Sequence, residues 1–507
     1  MLRRSSSALL LAIALAGAAD ASPDAAGERG SAAPGVAGAA TEAPAFAQAN
    51  EARVAIERGG LDGVEAELDA AVAASGSQGR DAARVRLHAG RSFVRLAEAT
   101  GGSRAALASL RAAALFDEAH ALASAAGDAR LASFALGYRG AIYEDAGRLD
   151  EAATLTRRAL LAADRAHASD ALYRWHWQLG RIQRAQAHAA AALASYRRAV
   201  ARLDVLRAEL ASTSTDAAFA FRAEVEPVYV ELVDLLLREA AAADDDPVLL
   251  AEARDTLEAL KAAELRDHFS DPCLDAQRET TPEAVPGAVV LYPVVLPDRV
   301  ELILSTDAGL SRHVSGVDGE TLRAETKRLR RLITKRTTRQ FLPSAQKLYD
   351  WLIRPLDDAL AGRRISAFVA VPSGALRTIP FAALHDAQSG EFLIEKVPVA
   401  VTPGLTLTDP RAIDREAAIG LVAGVSEGVQ GFPPLASVPA EVEQVARAFP
   451  GVALLDREFV VARFESEVRA RPVSIVHVAS HGEFNGDAER SFVLAYDEKI
   501  PMAELAS

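Results

Sequence analysis

Between about Glu51 and Phe269, apolar residues recur three and four positions apart in long alanine- and leucine-rich segments with few β-branched runs, the periodicity of one-faced α-helices. Beyond Pro286 the period changes. Short β-branched runs over 288–296, 299–306, 365–371, 418–425, 452–455, 475–479 and 492–496 predict strands, the first two joined as a hairpin across Pro297-Asp298. Helical patterns over 321–337, 345–360, 440–449 and 460–469 fall between them. Apolar strands alternating with helices predict a largely parallel sheet covered on both faces. Residues 22–50 are rich in Ala, Gly, Pro and Ser without periodicity and read as a flexible linker.

The helical half contains a repeat. Gly140, Tyr143, Gly147, Ala152 and Ala159 recur forty residues later as Gly180, Gln183, Ala187, Ala192 and Ala199. The small residues keep the spacing of a tetratricopeptide motif, in which Gly and Ala let paired helices approach closely. Leu87-His88-Ala89-Gly90 suggests a weaker copy upstream. Residues 51–270 thus read as a degenerate α-solenoid, with two uses open to it: a concave surface for a protein or peptide partner, or a scaffold that packs only on its neighbour.

The first 21 residues are a separate object. Arg3 and Arg4 precede an apolar stretch from Ala8 to Ala18, and Ala19-Asp20-Ala21 fits a small-x-small cleavage site. The stretch is too short to span a bilayer, so it predicts export to the periplasm or medium without a stable membrane anchor. The formal net charge of −13, with no Lys/Arg-rich block, argues against nucleic acid as a partner. Cys273 is the single cysteine, which excludes an intramolecular disulfide.

The chemistry concentrates near the C-terminus. His481-Gly482 follows the strand 475–479, and open α/β sheets place active residues at the carboxyl ends of their strands. An imidazole there can exchange a proton with a thiol near neutral pH, and a glycine lets its N–H approach a developing oxyanion. A plain loop histidine would read the same. Gly424-Val425-Ser426-Glu427-Gly428 is a literal G-x-S-x-G, and Asp456 and His481 follow in the order of a serine-hydrolase triad. Its elbow should enter a helix at once, yet Gly431, Pro433 and Pro434 delay any helix until about Val438. His477 and His481 are spaced for a metal on a helix, but on a strand they stand ~13 Å apart, so no metal or other cofactor is expected. Glu483, Asp487, Glu489, Asp497 and Glu498 surround the His-Gly step, as solvated loop residues or as an acidic pocket for a basic side chain.

Several blocks give these residues a context. They are Lys261-Ala262-Ala263-Glu264-Leu265-Arg266-Asp267, Leu291-Tyr292-Pro293-Val294-Val295-Leu296-Pro297-Asp298-Arg299, Val371-Pro372-Ser373-Gly374-Ala375-Leu376-Arg377-Thr378-Ile379-Pro380-Phe381 and Val476-His477-Val478-Ala479-Ser480-His481-Gly482. With them the stretch from about Leu257 onward resembles the CHAT domain, a caspase-like module that often follows tetratricopeptide repeats. The resemblance implies a caspase-like α/β domain over 285–507 and a cysteine-peptidase pair whose histidine is His481, with Gly482 as an oxyanion donor. The partner cysteine is expected at the end of the next central strand. Caspases separate the two by ~50 residues, which falls beyond Ser507. Cys273 precedes His481, against the family's order, and reads as a structural thiol. The domain is therefore expected to be incomplete and inactive as written, either as a fragment of a cysteine endopeptidase or as a natural pseudo-protease. Omitting the next strand is expected to leave a sheet edge unpaired.

Overall fold

A computed structural model of the chain describes residues 10–15, 44–210, 215–269, 287–335, 338–405, 418–483 and 491–505. They divide into two compact units. One combines the described residues of 32–267 and 286–404, the other those of 1–31, 268–285 and 405–507. The first strand, β1 (Leu10–Leu15), belongs to the smaller unit.

The larger unit begins with ten helices: α1 (Pro44–Glu57), α2 (Val64–Ala74), α3 (Gly79–Ala99), α4 (Gly102–Ala125), α5 (Ala129–Asp145), α6 (Leu149–Arg165), α7 (Ser169–Ala185), α8 (Ala189–Leu210), α9 (Thr215–Ala242) and α10 (Pro247–Phe269). Helix α1 starts ahead of the expected boundary at Glu51, because Ala45, Ala49, Ala52 and Ile56 form a buried stripe that draws the end of the supposed linker into the helix. From α3 to α8 the helices pack as successive hairpins. Close approach depends on small residues, as the repeat implied. A Cβ on Gly140 would lie 2.8 Å from Gln178 Nε2, and one on Gly180 would lie 2.9 Å from the Tyr196 ring.

The repeat unit is finer than forty residues. Gly127, Gly147, His167 and Ala187 follow successive helices at even twenty-residue spacing, and all adopt left-handed φ of 69°, 71°, 49° and 59°. In each turn the next residue's N–H reaches back to a helix carbonyl: Asp128 to Ala123 (2.8 Å), Arg148 to Tyr143 (2.8 Å), Ala168 to Ala163 (3.0 Å) and His188 to Gln183 (2.9 Å). This is the Schellman closure, which satisfies carbonyls a helix end would otherwise leave open. Glycine occupies only two of the four turns, which is why the sequence shows half the pattern.

After the helices come β2 (Ala288–Val295), β3 (Val300–Thr306), β4 (Gly309–Ser315), β5 (Ala367–Ala370) and β6 (Val399–Val401), in the order β4-β3-β2-β5-β6. The first three are antiparallel, and β5 and β6 run parallel to β2. This sheet is mixed, and it is separate from the parallel one, described below, whose strand leads into His481. Strand β4 escapes a pattern search because Ser311, Arg312 and His313 are polar and partly exposed at an edge. Helices α11 (Gly319–Ile333) and α12 (Leu342–Leu352) cover the core formed by Leu291, Leu302, Leu304, Leu348 and Phe368.

The helices of the expected 51–270 segment and this sheet belong to one unit. Glu301, 2% exposed, accepts from Arg299 Nε (2.6 Å) and Arg312 (2.9 Å). Those arginines in turn reach Asp234 on α9 (2.8 Å) and Asp245 just after it (2.7 Å). A second buried carboxylate, Asp386, accepts from Arg354 (2.5 Å), Lys396, the Gln388 N–H (2.9 Å) and Ser389 (3.1 Å). Burial pushes its carboxyl up, but these donors outweigh burial and hold it well below the usual carboxylate range.

In the smaller unit β1, β9 (Ile475–Ser480), β7 (Gly420–Gly424) and β8 (Gly451–Leu455) form a parallel sheet in the order β1-β9-β7-β8. Alternate residues face opposite sides, as pleating dictates. Leu421, Ala423, Val476 and Val478 pack with Phe464 of helix α14 (Val461–Ala470), whereas Val422 and Ala479 meet Val438 and Val442 of helix α13 (Val438–Ala446). Coverage on both faces is thus as expected. A small antiparallel sheet of β10 (Gly482–Glu483), β11 (Phe492–Leu494) and β12 (Lys499–Pro501) follows. Strand β1 runs along the free side of β9, from Leu10 opposite Ile475 to Leu15 opposite Ser480.

Two stability measurements test this account. Ala187→Gly should raise the unfolding free energy, and Gly147→Ala should lower it, each by about 0.5–1 kcal/mol, since only the glycine adopts left-handed φ without a Cβ clash. Denaturant melts read both. Asp386→Ala should destabilise the larger unit by about 1–3 kcal/mol, since it removes the shared acceptor of Arg354, Lys396, Ser389 and the Gln388 N–H. Because the Asp386 pKa is depressed, its contribution is present above the unfolded carboxyl value of ~3.9 and is lost as pH falls through the lower folded value. The variant's deficit should therefore shrink in acid melts.

Candidate functional site

Strand β9 delivers its last residues into a fixed position. Ser480, 6% exposed, donates to the Leu494 carbonyl (2.5 Å), and the Leu494 N–H donates to the His481 carbonyl (2.8 Å). His481 therefore leaves the sheet with its backbone held on β11. Its ring is buried, with Nε2 2.7 Å from the Pro433 carbonyl oxygen. A carbonyl only accepts, so Nε2 carries the proton, and in the neutral ring Nδ1 bears the lone pair. Phe432 packs on the imidazole at 5.1 Å between centroids and meets Phe492 edge-on at 6.1 Å. Lys499 lies over both phenyl rings.

Pro433 is held in turn by its own loop, which joins β7 to α13. Asp456, at the end of β8, accepts from the Ser426 N–H (2.6 Å), the Ser426 hydroxyl (2.7 Å) and the Glu427 N–H (3.0 Å). Leu435 N–H closes onto the Ser426 carbonyl (2.9 Å), and Gln430 Nε2 donates to the Ala495 carbonyl (3.0 Å). Burial raises the Asp456 carboxyl, but the hydrogen bonds from Ser426 and Glu427 outweigh it and keep it low, hence ionised at neutral pH. Asp456 itself adopts φ of 50°, a strained setting that its three bonds sustain.

This arrangement removes the serine-hydrolase alternative. In such a triad the acid orients the histidine and the histidine contacts the serine. Here Asp456 binds the serine, His481 binds Pro433, and the segment after Ser426 reaches α13 only at Val438. His477 stands on the strand and pairs with Glu441 of α13 at 3.1 Å. Among the described residues no group of three or more His, Cys, Asp or Glu could hold a metal ion. Gly482 follows His481 into β10, half-buried. Of the surrounding carboxylates, Glu483, Asp497 and Glu498 are exposed, and Asp497 accepts from the Val461 N–H at the start of α14 (3.1 Å). Asp487, Glu489 and Cys273 lie outside the described residues.

Pro433 was not anticipated, because it acts through a main-chain oxygen that any residue carries. The one sequence trace is Gly431-Phe432-Pro433-Pro434, which holds that loop out of helix.

Comparisons with known proteins find likenesses in each half. Solved structures similar to the helical part include nearly identical TPR-like repeats of a putative kinesin light chain from Podosopora anserina. They show 15–16% identity, cover 44–45% of this chain and 95–98% of theirs, and give a TM-score of 0.30. BtubC from P. vanneervenii is similar at 13% identity, covering 45% of this chain and 80% of its own, also at 0.30. No curated protein matches the chain. The CHAT domain family matches residues 342–507, a span that takes in His481 and the loop that holds it. The C-terminal part of the chain, residues 342–507, thus matches the CHAT domain, and the stacked helical hairpins of α3 to α8 precede it.

Proposed function

We propose that the protein couples a partner-docking helical array to a caspase-like module that supplies the histidine half of thiol-dependent peptide cleavage. The observation that carries this reading is the 2.7 Å contact between His481 Nε2 and the Pro433 carbonyl at the carboxyl end of β9. It leaves Nδ1 as the basic nitrogen, the requirement for accepting a thiol proton. Gly482 is positioned in sequence to offer its N–H to the oxyanion. Thiolate attack on the peptide carbonyl would give a thioester, with the proton passing through His481 to the leaving amine, and water would then release the acid.

The reading calls for a thiol that none of these 507 residues is assigned to supply. Cys273, the single cysteine, stays assigned as structural. In the helical array, Leu107, Leu110 and Leu161 are more than half exposed and support a protein or peptide partner. The Arg3-Arg4 leader supports export. No helix among the described residues is long and apolar enough to cross a membrane.

Residues 1–507 should leave fluorogenic peptides uncut, and His481→Ala should behave identically. Turnover that disappears in Cys273→Ser would show that the nucleophile is on this chain and overturn the assignment. The ring itself is read by two-bond ¹H–¹⁵N correlation, with the signal assigned by its loss in His481→Gln. His481 should be a single Nε2–H tautomer, and Asp456→Ala should convert it to a mixture by freeing the Pro433 loop. An Nδ1–H tautomer in the parent protein would sink the proposed role.

A further inference from the structure

The larger unit holds a second arrangement that thiol chemistry leaves unused. Lys261, on α10, is 2% exposed, and its Nζ lies 2.7 Å from Ser373 Oγ and 2.9 Å from the Pro372 carbonyl. Among the described residues no carboxylate lies within ion-pair distance of that amine. Glu264, one turn further along α10, is engaged by Arg377. A buried ammonium without a contacting carboxylate is costly, and proteins relieve this by neutralising the amine. Burial accordingly pushes the Lys261 amine down to about 8. In the neutral form one N–H donates to Pro372 and the lone pair accepts from the Ser373 hydroxyl.

Ser373 is equally particular. It stands at the cap position of the 3₁₀ turn Gly374–Thr378, where a serine side chain would commonly bond to the turn's backbone, yet its hydroxyl makes no capping bond and turns to Lys261. It also lines a cavity of about 180 Å³ whose wall is apolar at Leu257, Leu260 and Leu376 and charged at Glu226, Glu264 and Arg323. Lys261 does not line the cavity and lies behind the serine. The order is that of a nucleophile facing a pocket with its base shielded from solvent.

We propose that Ser373 and Lys261 form a serine–lysine dyad that cleaves esters or amides of short aliphatic acids bound in this cavity. Ser373 Oγ bonds to the acyl carbon while its proton moves to the neutral Lys261 amine. The carbon–leaving-group bond breaks and the departing alcohol or amine takes that proton. Water, deprotonated by the same amine, then releases the acid and restores the serine. The dyad is independent of His481, so it stands or falls separately from the peptidase reading.

The test uses the full chain and a short-alkyl fluorophosphonate, which a nucleophilic serine displaces with loss of fluoride. Mass spectrometry should place the adduct on Ser373, with a labelling rate that rises with pH to a plateau above about 8. Ser373→Ala should abolish the adduct. Lys261→Arg, which keeps a hydrogen-bonding cation but cannot deprotonate, should slow labelling by ~100-fold or more while the protein stays folded by circular dichroism. His481→Ala should label normally. Failure of the parent protein to label between pH 6 and 10 would reduce Lys261 to a clamp between α10 and the Pro372 turn and overturn the proposal. Labelling undiminished in Lys261→Arg would overturn it too.

Discussion

The Asp456 carboxylate is the constraint on which the histidine site depends. It gathers two N–H groups and a hydroxyl from the head of the loop between β7 and α13, and the same loop carries Phe432 and Pro433 onto the imidazole. None of these bonds touches His481 directly. Without them, a loop containing one glycine and two prolines in four residues would have few other means of holding a carbonyl against a ring nitrogen. The strained φ at Asp456 fits this role, because a carboxylate aimed at three donors at once leaves its backbone little choice. Positioning of the imidazole is thus spread over β8, β9, β11 and the loop after β7, all in one unit.

The larger unit uses the same device on a different scale. Its helices and mixed sheet bury Glu301 and Asp386, and each carboxylate is matched by two cationic side chains. Such networks are seldom a net source of stability compared with apolar packing, but they are costly to break singly. Asp234 and Asp245, reached by Arg299 and Arg312, tie helix α9 and the turn after it to β3 and β4. A helical array and a sheet that differ sharply in composition therefore fold as one unit. The change of period beyond Pro286 thus falls inside one packed unit.

What the sequence made legible follows the physics of each feature. Periodicity located most strands and helices to within a few residues, since burial on one or both faces is written in side-chain type. Strand β4 stayed hidden because its pairing is main-chain and its side chains are polar. The forty-residue repeat was visible through Gly140 and Gly180, where a Cβ would clash. The twenty-residue turn repeat was half hidden, because His167 and Ala187 occupy a left-handed turn normally marked by glycine. His481 could be singled out by type and place in the chain. Pro433 could not, because a carbonyl carries no residue signature. The dyad of Lys261 and Ser373 lay inside quoted sequence blocks, yet 112 residues separate the two, and only the fold brings them together.

The parallel sheet also bears on the N-terminal apolar run. Strand β9 carries Val476 and Val478 toward one core and Ala479 toward the other, so it is built as an interior strand with neighbours on both edges. On one edge the neighbour is β7, and on the other it is Leu10–Leu15. The same six residues belong to the stretch that reads as an export leader, and a segment removed by a peptidase cannot remain a strand. A chain that keeps them satisfies the β9 edge internally. A chain that loses them presents a row of unpaired N–H and C=O groups beside the histidine-bearing strand, a strong template for another strand. In the structure, pairing with Leu10–Leu15 is what closes the β9 edge beside His481.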